Sequence, residues 1–282
     1  MVDSLRHRCP TGPAATKQST WDRVATASDR QALTSSLIDA TDKARLLSVT
    51  SPHSSDWLHA LPLSGCGLRL DDRAIHIAVG LRLGANICEP HQCLCRASVD
   101  ARGLHGLSCR GGNGRSARHH NLNDLVWRAM ATADILAFKE PSGLLRTDKK
   151  RPDGVTHLPW KQGKCVTWDV TVSDTLAQSY VHETSQTPLT PCAAAEAAVE
   201  RKTNKYSSLA QSYSFVPVAA ETKGAINKDG VDFLSDTGRR ITHSTDDHRK
   251  SSFLFQRLSM LIQRYNAVGL GYLRPHNPED EM

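Results

Sequence analysis

The sequence has no long hydrophobic run and no large excess of one charge, and each absence excludes a class of protein. No apolar stretch approaches the roughly 20 residues that a membrane-spanning helix needs. Residues 1–4 open a polar N-terminus that lacks the apolar core of a secretory signal peptide. These absences predict an intracellular protein without membrane contacts, in a compartment that keeps thiols reduced. The eight cysteines are therefore expected to ligate metal or to be buried as free thiols.

The chain shows no internal repeat, but its composition changes along its length. It divides into a disordered polar tail (1–25), a helical segment (26–87), a Cys/Gly-rich segment (88–115), an α/β region (116–268) and a second tail (269–282). In the helical segment, the pattern over 71–83 places Ile75, Val79 and Leu83 on one apolar face, and Gly84 is a stop signal.

Basic residues concentrate in one stretch, although the net charge is only +6. Between Arg110 and Arg151 there are nine Lys/Arg and four Asp/Glu, so most of the excess positive charge lies there. Such a surface suits a polyanion such as nucleic acid, whereas a solvated basic loop is the alternative. The candidate phosphate contacts are Arg115, Arg118, His119, Lys149, Lys150 and Arg151.

The α/β region follows a legible order of elements. Hydrophobic periodicity predicts a helix (121–133), three strands (135–138, 153–158, 164–172), a helix (193–211), a strand (215–220) and a closing amphipathic helix (250–266). The alternation of helices with strands indicates an α/β core with an α-β-β-β-α-β order.

Asp153 and Asp169 are the candidate catalytic acids. Carboxylates on adjacent short strands can share a divalent metal such as Mg²⁺, which metal-assisted phosphodiester hydrolysis needs. Strand alternation places Asp169 opposite the apolar side chains of 164–172, where a carboxylate must be solvated, paired or bound to metal. The alternative is a sheet with one wet face, on which Asp169 simply meets water.

Two lysines of the predicted helix 193–211 are the candidate catalytic cations. Lys202 falls inside the apolar arc of that helix, and Lys205 lies at its edge. A lysine on a buried face must reach back to solvent or face anions. Beside the two carboxylates, either lysine could stabilise the charge of a scissile phosphate.

A Cys/His cluster predicts a structural zinc site. Cys93-x-Cys95-x9-His105-x3-Cys109 supplies three thiolates and one imidazole, which is a ligand set that tetrahedral zinc prefers. Four protein ligands leave no open coordination position, so this Zn²⁺ would be structural. Cys88 is a spare cysteine that could replace Cys93.

Together these motifs resemble a known family. The residues that carry the likeness are Leu81–Gly84, Cys93, Cys95, Gly106–Cys109, Arg118, His119, Leu122–Leu125, Arg151–Gly154, Trp168–Thr171, Lys202, Lys205 and Tyr206. Over roughly residues 45–268 they resemble the C-terminal part of certain non-LTR retrotransposon polyproteins. In those proteins a CCHC zinc knuckle precedes a restriction-like endonuclease.

The resemblance implies a PD-(D/E)XK nuclease fold, in which Asp153 and Asp169 hold Mg²⁺. It also implies nicking of target DNA to prime reverse transcription, with DNA and element RNA as partners in the nucleus. Thr171 departs from the pattern because a lysine is expected there, so Lys202 or Lys205 would supply the cation. No polymerase half is recognisable, since Asp71-Asp72 lies in a helical pattern; a truncated element or detached module is expected. The rival hypothesis is a catalytically inactive remnant that binds nucleic acid through zinc.

Overall fold

A computed structural model describes residues 18–109, 111, 113–144, 151–160, 162–177 and 192–271. Its α-helices are α1 (Gln18–Ser36), α2 (Ala40–Val49), α3 (Asp72–Leu83), α4 (His105–Ser108), α5 (Asn113–Thr132), α6 (Ala193–Lys205), α7 (Lys228–Thr245) and α8 (Lys250–Gly269). Its strands are β1 (His91–Gln92), β2 (Ser98–Val99), β3 (Ala137–Lys139), β4 (Gly154–Thr156), β5 (Val166–Ser173) and β6 (Ser214–Glu221). Short 3₁₀ helices cover Asp56–His59, Ser64–Cys66 and Ser207–Gln211. The fold is therefore mixed α/β, and no described helix has the length and apolar character needed to cross a bilayer.

The larger sheet has four strands in the order β3-β4-β5-β6. The pairs β3/β4 and β4/β5 are antiparallel, whereas β5 and β6 are parallel over eight residue pairs. Parallel neighbours need a crossover connection, and helix α6 lies in it. From α5 to β6 the described elements run helix, three strands, helix, strand, which is the order predicted from the sequence.

Strand β5 is buried on both faces. Val166, Trp168 and Val170 enter the main core, as their alternation predicts. The opposite face is also covered, because α6 packs over β5 and β6. Thr167 and Asp169 are consequently 0 % and 2 % exposed. The wet-face alternative for Asp169 is therefore wrong.

Helices α5 and α7 cover the apolar face of this sheet, and α8 packs against both helices. Helix α7 has no counterpart among the elements predicted from the sequence. Phe233, Leu234 and Ile241 lie on its buried face together with glycine and threonine, so the sequence carries an amphipathic period here that the prediction missed. A Cβ on Gly238 would lie 2.8 Å from the Ser251 hydroxyl, so this glycine permits the close approach of α7 and α8.

Helix α3 buries a different face from the one predicted. Asp71 caps its N-terminus through the Ala74 amide, and Gly84 ends it in the left-handed conformation, as the stop signal predicts. The buried residues are Ala74, Ile77, Ala78, Gly80 and Leu81. The predicted face, Ile75, Val79 and Leu83, is 38–66 % exposed. The smaller Ala and Gly side chains are buried because they let α3 approach its neighbours closely.

The segment boundaries also differ from the sequence-based division. Helix α1 begins at Gln18, inside the stretch 1–25 predicted to be a disordered tail; residues 1–17 and 272–282 lie outside the described ranges. The Cys/Gly-rich segment is not separate from the α/β region, because helix α5 already begins at Asn113. A small apolar cluster joins that segment to α3 and to Leu270, the residue that ends α8.

Candidate metal centre and acidic site

The Cys/His cluster is built from one tight turn and one helical turn. Between β1 and β2, the Cys93 amide donates to the Ala97 carbonyl, and the intervening turn carries Cys95. Helix α4 then places His105 and Cys109 four residues apart on one side, where Cys109 N–H donates to the His105 carbonyl. The local backbone thus presents all four predicted side chains to one point.

The distances within this cluster fit a tetrahedral metal. The ligand atoms of Cys93, Cys95, His105 and Cys109 all lie within 4.8 Å of one another. The Cys109 sulfur is 3.7 Å from each of the other two sulfurs. Zn–S bonds of about 2.3 Å at tetrahedral angles require sulfur atoms about 3.8 Å apart. The cluster can therefore hold one Zn²⁺ ion.

Cys88 does not belong to this centre. It is fully buried, and its Sγ donates to the Asp100 carbonyl at 3.2 Å. Burial raises the pKa of its thiol to about 11, which keeps it protonated. The backbone N–H of Ala97, by contrast, helps to lower the pKa of Cys95 to about 7, and thus favours the thiolate that a metal needs. Cys93 rather than Cys88 completes the set.

We expect the purified chain to bind one equivalent of Zn²⁺ tightly and the Cys109→Ser variant to lose that binding. One ligand of four would be missing, and the remaining two thiolates and the imidazole would not close the tetrahedron. Elemental analysis and the absorption spectrum after Co²⁺ substitution measure this. Cys88→Ser is the matched control and should bind metal like the wild type. Equal metal content in the Cys109→Ser variant would contradict this assignment.

Asp153 is held by two donors on its Oδ2 atom. The backbone N–H of Val170 donates to it at 2.6 Å, and the His119 Nε2 atom lies 3.1 Å away. This contact with Asp153 raises the pKa of His119, and the nearby Asp169 carboxylate acts in the same direction. The imidazolium is thus favoured here. The Oδ1 atom of Asp153 accepts no hydrogen bond from the described residues.

Asp169 faces a cation and a hydroxyl. The Lys202 ammonium forms an ion pair with its Oδ2 atom, and the Lys202 side chain is still 25 % exposed. The Tyr206 hydroxyl lies 2.7 Å from Oδ1. Lys202 therefore pairs with the buried carboxylate and remains partly open to solvent. Its ammonium faces an anion, which is one of the two arrangements expected for a lysine on a buried helix face.

Tyr206 links the two acidic residues, and sequence reasoning did not assign it a role. Its hydroxyl lies 2.7 Å from the Arg151 carbonyl, two residues before Asp153, and equally close to Asp169. The Lys205 ammonium lies 2.7 Å from the same hydroxyl, so Tyr206 connects Lys205 to Asp169. The spacing of Lys202 and Tyr206, four residues apart on α6, could have indicated a shared face.

A buried carboxylate fixes the start of α6 and thereby the placement of Lys202. The residue before this helix, Cys192, provides no side-chain cap. Instead the Glu221 carboxylate, at the end of β6, accepts from the amides of Ala194 and Ala195. Burial raises the pKa of Glu221, and the amide and hydroxyl donors around it oppose that rise. Glu221 is thus an internal helix cap and has no contact with the acidic pair.

A cleft of about 800 Å³ opens beside the acidic pair. Its lining includes Thr171 and Lys202 on one side and the N-terminal turns of α5, with Arg115, His119 and His120, on the other. The positive end of the α5 dipole and these basic side chains favour a bound anion. Arg151 is also exposed, although it pairs with Glu140 at 3.7 Å.

Three of the predicted nucleic-acid contacts need comment. Arg118 is only 2 % exposed, and its guanidinium donates to Asn266 and to the Leu107 carbonyl. It has no surface to offer a phosphate, so that prediction is corrected. Lys149 and Lys150 lie outside the described residues.

Two comparisons with known proteins identified no relative of this chain. No protein-family model matches the chain, and no curated protein matches it either. The contacts of the acidic site and of the metal centre therefore carry the functional argument.

Proposed function

We propose that this chain is a metal-dependent DNA endonuclease module, of the restriction-like type that follows a zinc knuckle in non-LTR retrotransposon polyproteins. It would nick target DNA in the nucleus to prime reverse transcription, with element RNA as a second partner. The observation that supports this proposal is that the partners of the two acids, Lys202 of Asp169 and His119 of Asp153, line one basic cleft. Two acids and one lysine beside a basic cleft are the side chains that phosphodiester hydrolysis uses.

Each residue has a role in this proposal. Asp153 and Asp169 would hold Mg²⁺, which would polarise the scissile phosphate and lower the pKa of an attacking water. The Oδ1 atom of Asp153, which accepts no hydrogen bond from the described residues, suits this, because Mg²⁺ commonly binds through one or two carboxylates together with water and phosphate oxygens. Lys202 would stabilise the negative charge that develops on the phosphate, in place of the lysine that Thr171 lacks.

The basic rim would position the duplex. Arg115 and His120 are exposed at the N-terminus of α5, and His119 is half-exposed beside Asp153. Contacts from such residues to phosphates fix register and orientation without selecting a base sequence. The zinc centre would keep the turn before α5 in place, so that these side chains face the cleft.

Nicking of supercoiled plasmid DNA in Mg²⁺ tests the proposal. Asp153→Asn and Asp169→Asn keep the size of each side chain and remove its charge. Because metal binding and phosphate activation both depend on these charges, we expect each variant to lose about 10²-fold or more in rate. Circular dichroism would verify that both variants fold.

Asp232→Asn is the matched control, since this carboxylate pairs with Lys228 on the exposed surface of α7. Its nicking rate should equal that of the wild type. If the wild type, Asp153→Asn and Asp169→Asn nick at the same rate, the cleavage comes from a contaminant and the proposal fails.

The second candidate is a nucleic-acid-binding module without catalysis, and Thr171 at the expected lysine position favours it. In that case the cleft would bind phosphates, and no metal would support cleavage. Affinity for DNA whose logarithm falls linearly with the logarithm of salt concentration, together with no nicking, would select this candidate.

A further inference from the structure

Arg118 is an unusual residue in this fold because it is a buried arginine that contacts no carboxylate of the described residues. Its guanidinium donates to the Asn266 side chain at 2.6 Å and to the Leu107 carbonyl at 2.9 Å. Its Nε atom is buried and has no hydrogen-bond partner among the described residues. Burial lowers the pKa of Arg118 to about 10. Burying such a charge is unfavourable, and an apolar side chain would fill this space without that cost.

The first of these contacts joins α5 to the core through α8. Asn266 is fully buried, and its amide nitrogen donates to the Thr222 carbonyl at 2.6 Å. Arg118 is thus hydrogen-bonded to Asn266, and Asn266 is hydrogen-bonded to Thr222, the residue that follows β6.

The second contact joins α5 to the metal centre. Leu107 lies between the candidate zinc ligands His105 and Cys109, and its side chain is buried. Its carbonyl position therefore depends on the conformation of the loop that the metal would hold. Zinc ligands in a short turn have defined backbone positions only while the metal is bound.

Close backbone approaches reinforce this junction. A Cβ on Gly114 would lie 2.4 Å from the Gly269 Cα atom, and one on Gly106 would lie 2.4 Å from the Leu270 side chain. The loop of the metal centre, the start of α5 and the end of α8 are therefore packed against one another with no room for a side chain.

His119, the next residue on α5, lies on a different side of the helix from Arg118. His119 contacts the Asp153 carboxylate, whose Oδ2 atom also accepts the Val170 N–H. Neighbouring helical residues point about 100° apart. The same turn of α5 therefore carries Arg118 on one side and His119, the partner of Asp153, on another. A displacement of this turn would move both.

We propose that Arg118 is a positioning residue that couples zinc occupancy of the Cys/His cluster to the placement of His119 and Asp153. With zinc bound, the Leu107 carbonyl accepts from Arg118 and the N-terminal turns of α5 are held. Without zinc, the guanidinium loses that acceptor while remaining buried, and α5 shifts to give it another partner. The importance of Asp153 in this inference rests on the proposed nuclease function, but the coupling itself involves neither DNA nor Mg²⁺.

Amide hydrogen exchange at Val170 measures the coupling directly, because its N–H donates to the Asp153 carboxylate. In the full wild-type chain, chelation of zinc should accelerate this exchange about fivefold or more, which is the lower range of coupling between sites. The Val218 amide, in strand β6 of the same sheet, should change less. The readout needs no cleavage, so the inference can fail or hold independently of the nuclease proposal.

Arg118→Met removes the guanidinium and keeps an unbranched side chain. Its Val170 amide should exchange fast with or without zinc, so the zinc response disappears. Arg118→Lys, which keeps the charge and one donor, should show a zinc response between those of the wild type and Arg118→Met. If Arg118→Met does not fold, a weaker zinc response in Arg118→Lys than in the wild type is the expected result. Arg128→Met is the matched control on the exposed side of α5 and should respond like the wild type. A wild-type zinc response in Arg118→Met, or no response in the wild type, would overturn the inference.

Discussion

Replacing Lys202 with Met should lower the nicking rate by about 10²–10³-fold while lowering the Mg²⁺ concentration needed for half-maximal nicking. The rate falls because no ammonium remains to stabilise the developing charge on the phosphate. The Mg²⁺ requirement falls because Lys202 occupies the Asp169 oxygen that a metal would share. Without Lys202 this buried carboxylate has lost its cation, and a metal binding there meets no competitor.

The opposite movement of rate and metal requirement separates this role from simple damage to the fold. A destabilised site would lose rate and bind Mg²⁺ more weakly at the same time. Steady-state nicking at a series of Mg²⁺ concentrations measures both quantities. Lys205→Met is the matched comparison, because the Lys205 ammonium contacts the Tyr206 hydroxyl, which in turn contacts Asp169. We expect a much smaller loss of rate in that variant.

A rescue variant tests the substitution of one lysine for another. Thr171 and Lys202 line the same cleft, so a lysine at 171 can reach the phosphate that Lys202 would contact. The Thr171→Lys/Lys202→Met double variant should therefore recover part of the lost rate. If Lys202→Met nicks as fast as the wild type, the catalytic cation is another residue.

Gly154→Ala should destabilise the chain by about 1–3 kcal/mol, the usual cost of overpacking a core. The added methyl would lie 2.0 Å from the Trp168 ring, which is fully buried. The ring cannot move freely, because its Nε1–H donates to the Asn123 side chain. Asn123 in turn donates to the Asp153 carbonyl, so a shifted ring would also disturb the candidate catalytic acid.

Thermal or urea unfolding measures the loss of stability, and plasmid nicking measures the effect on the site. Gly65→Ala is the control, since a methyl group there meets no atom within 4 Å and the glycine has no positive φ. That variant should unfold like the wild type. Unchanged stability of Gly154→Ala would mean that the Trp168 ring can be displaced without cost.

The features that the sequence predicted well rest on a regular apolar period along one face of an element. The alternation of Val166, Trp168 and Val170 identified the core face of β5. The position of Lys202 within an apolar arc indicated an anionic partner, and it contacts Asp169. In each case a local period of 2 or 3.6 residues carried the information.

The features that the sequence did not reveal depend on contacts between distant segments. Helix α3 buries its small residues because α8 and the metal-centre loop approach it there, and no local pattern records that choice. Arg118 and His119 are adjacent basic residues, yet one is buried and the other lines the cleft. Only the packing of α5 against Leu107 and Asn266 separates them.

Helix α8 contributes side chains to the main core and to the cluster beside Trp57, and Leu270 at its end completes the cluster of the metal centre. It is the last described helix of the chain, so a ribosome exposes it after every other described element has been synthesised. Three apolar surfaces therefore remain exposed to solvent until α8 has been synthesised, and nascent chains with such exposed surfaces are prone to aggregate. A premature stop codon before Lys250 would leave all three uncovered, and such a product should accumulate as insoluble protein rather than as a shorter folded protein.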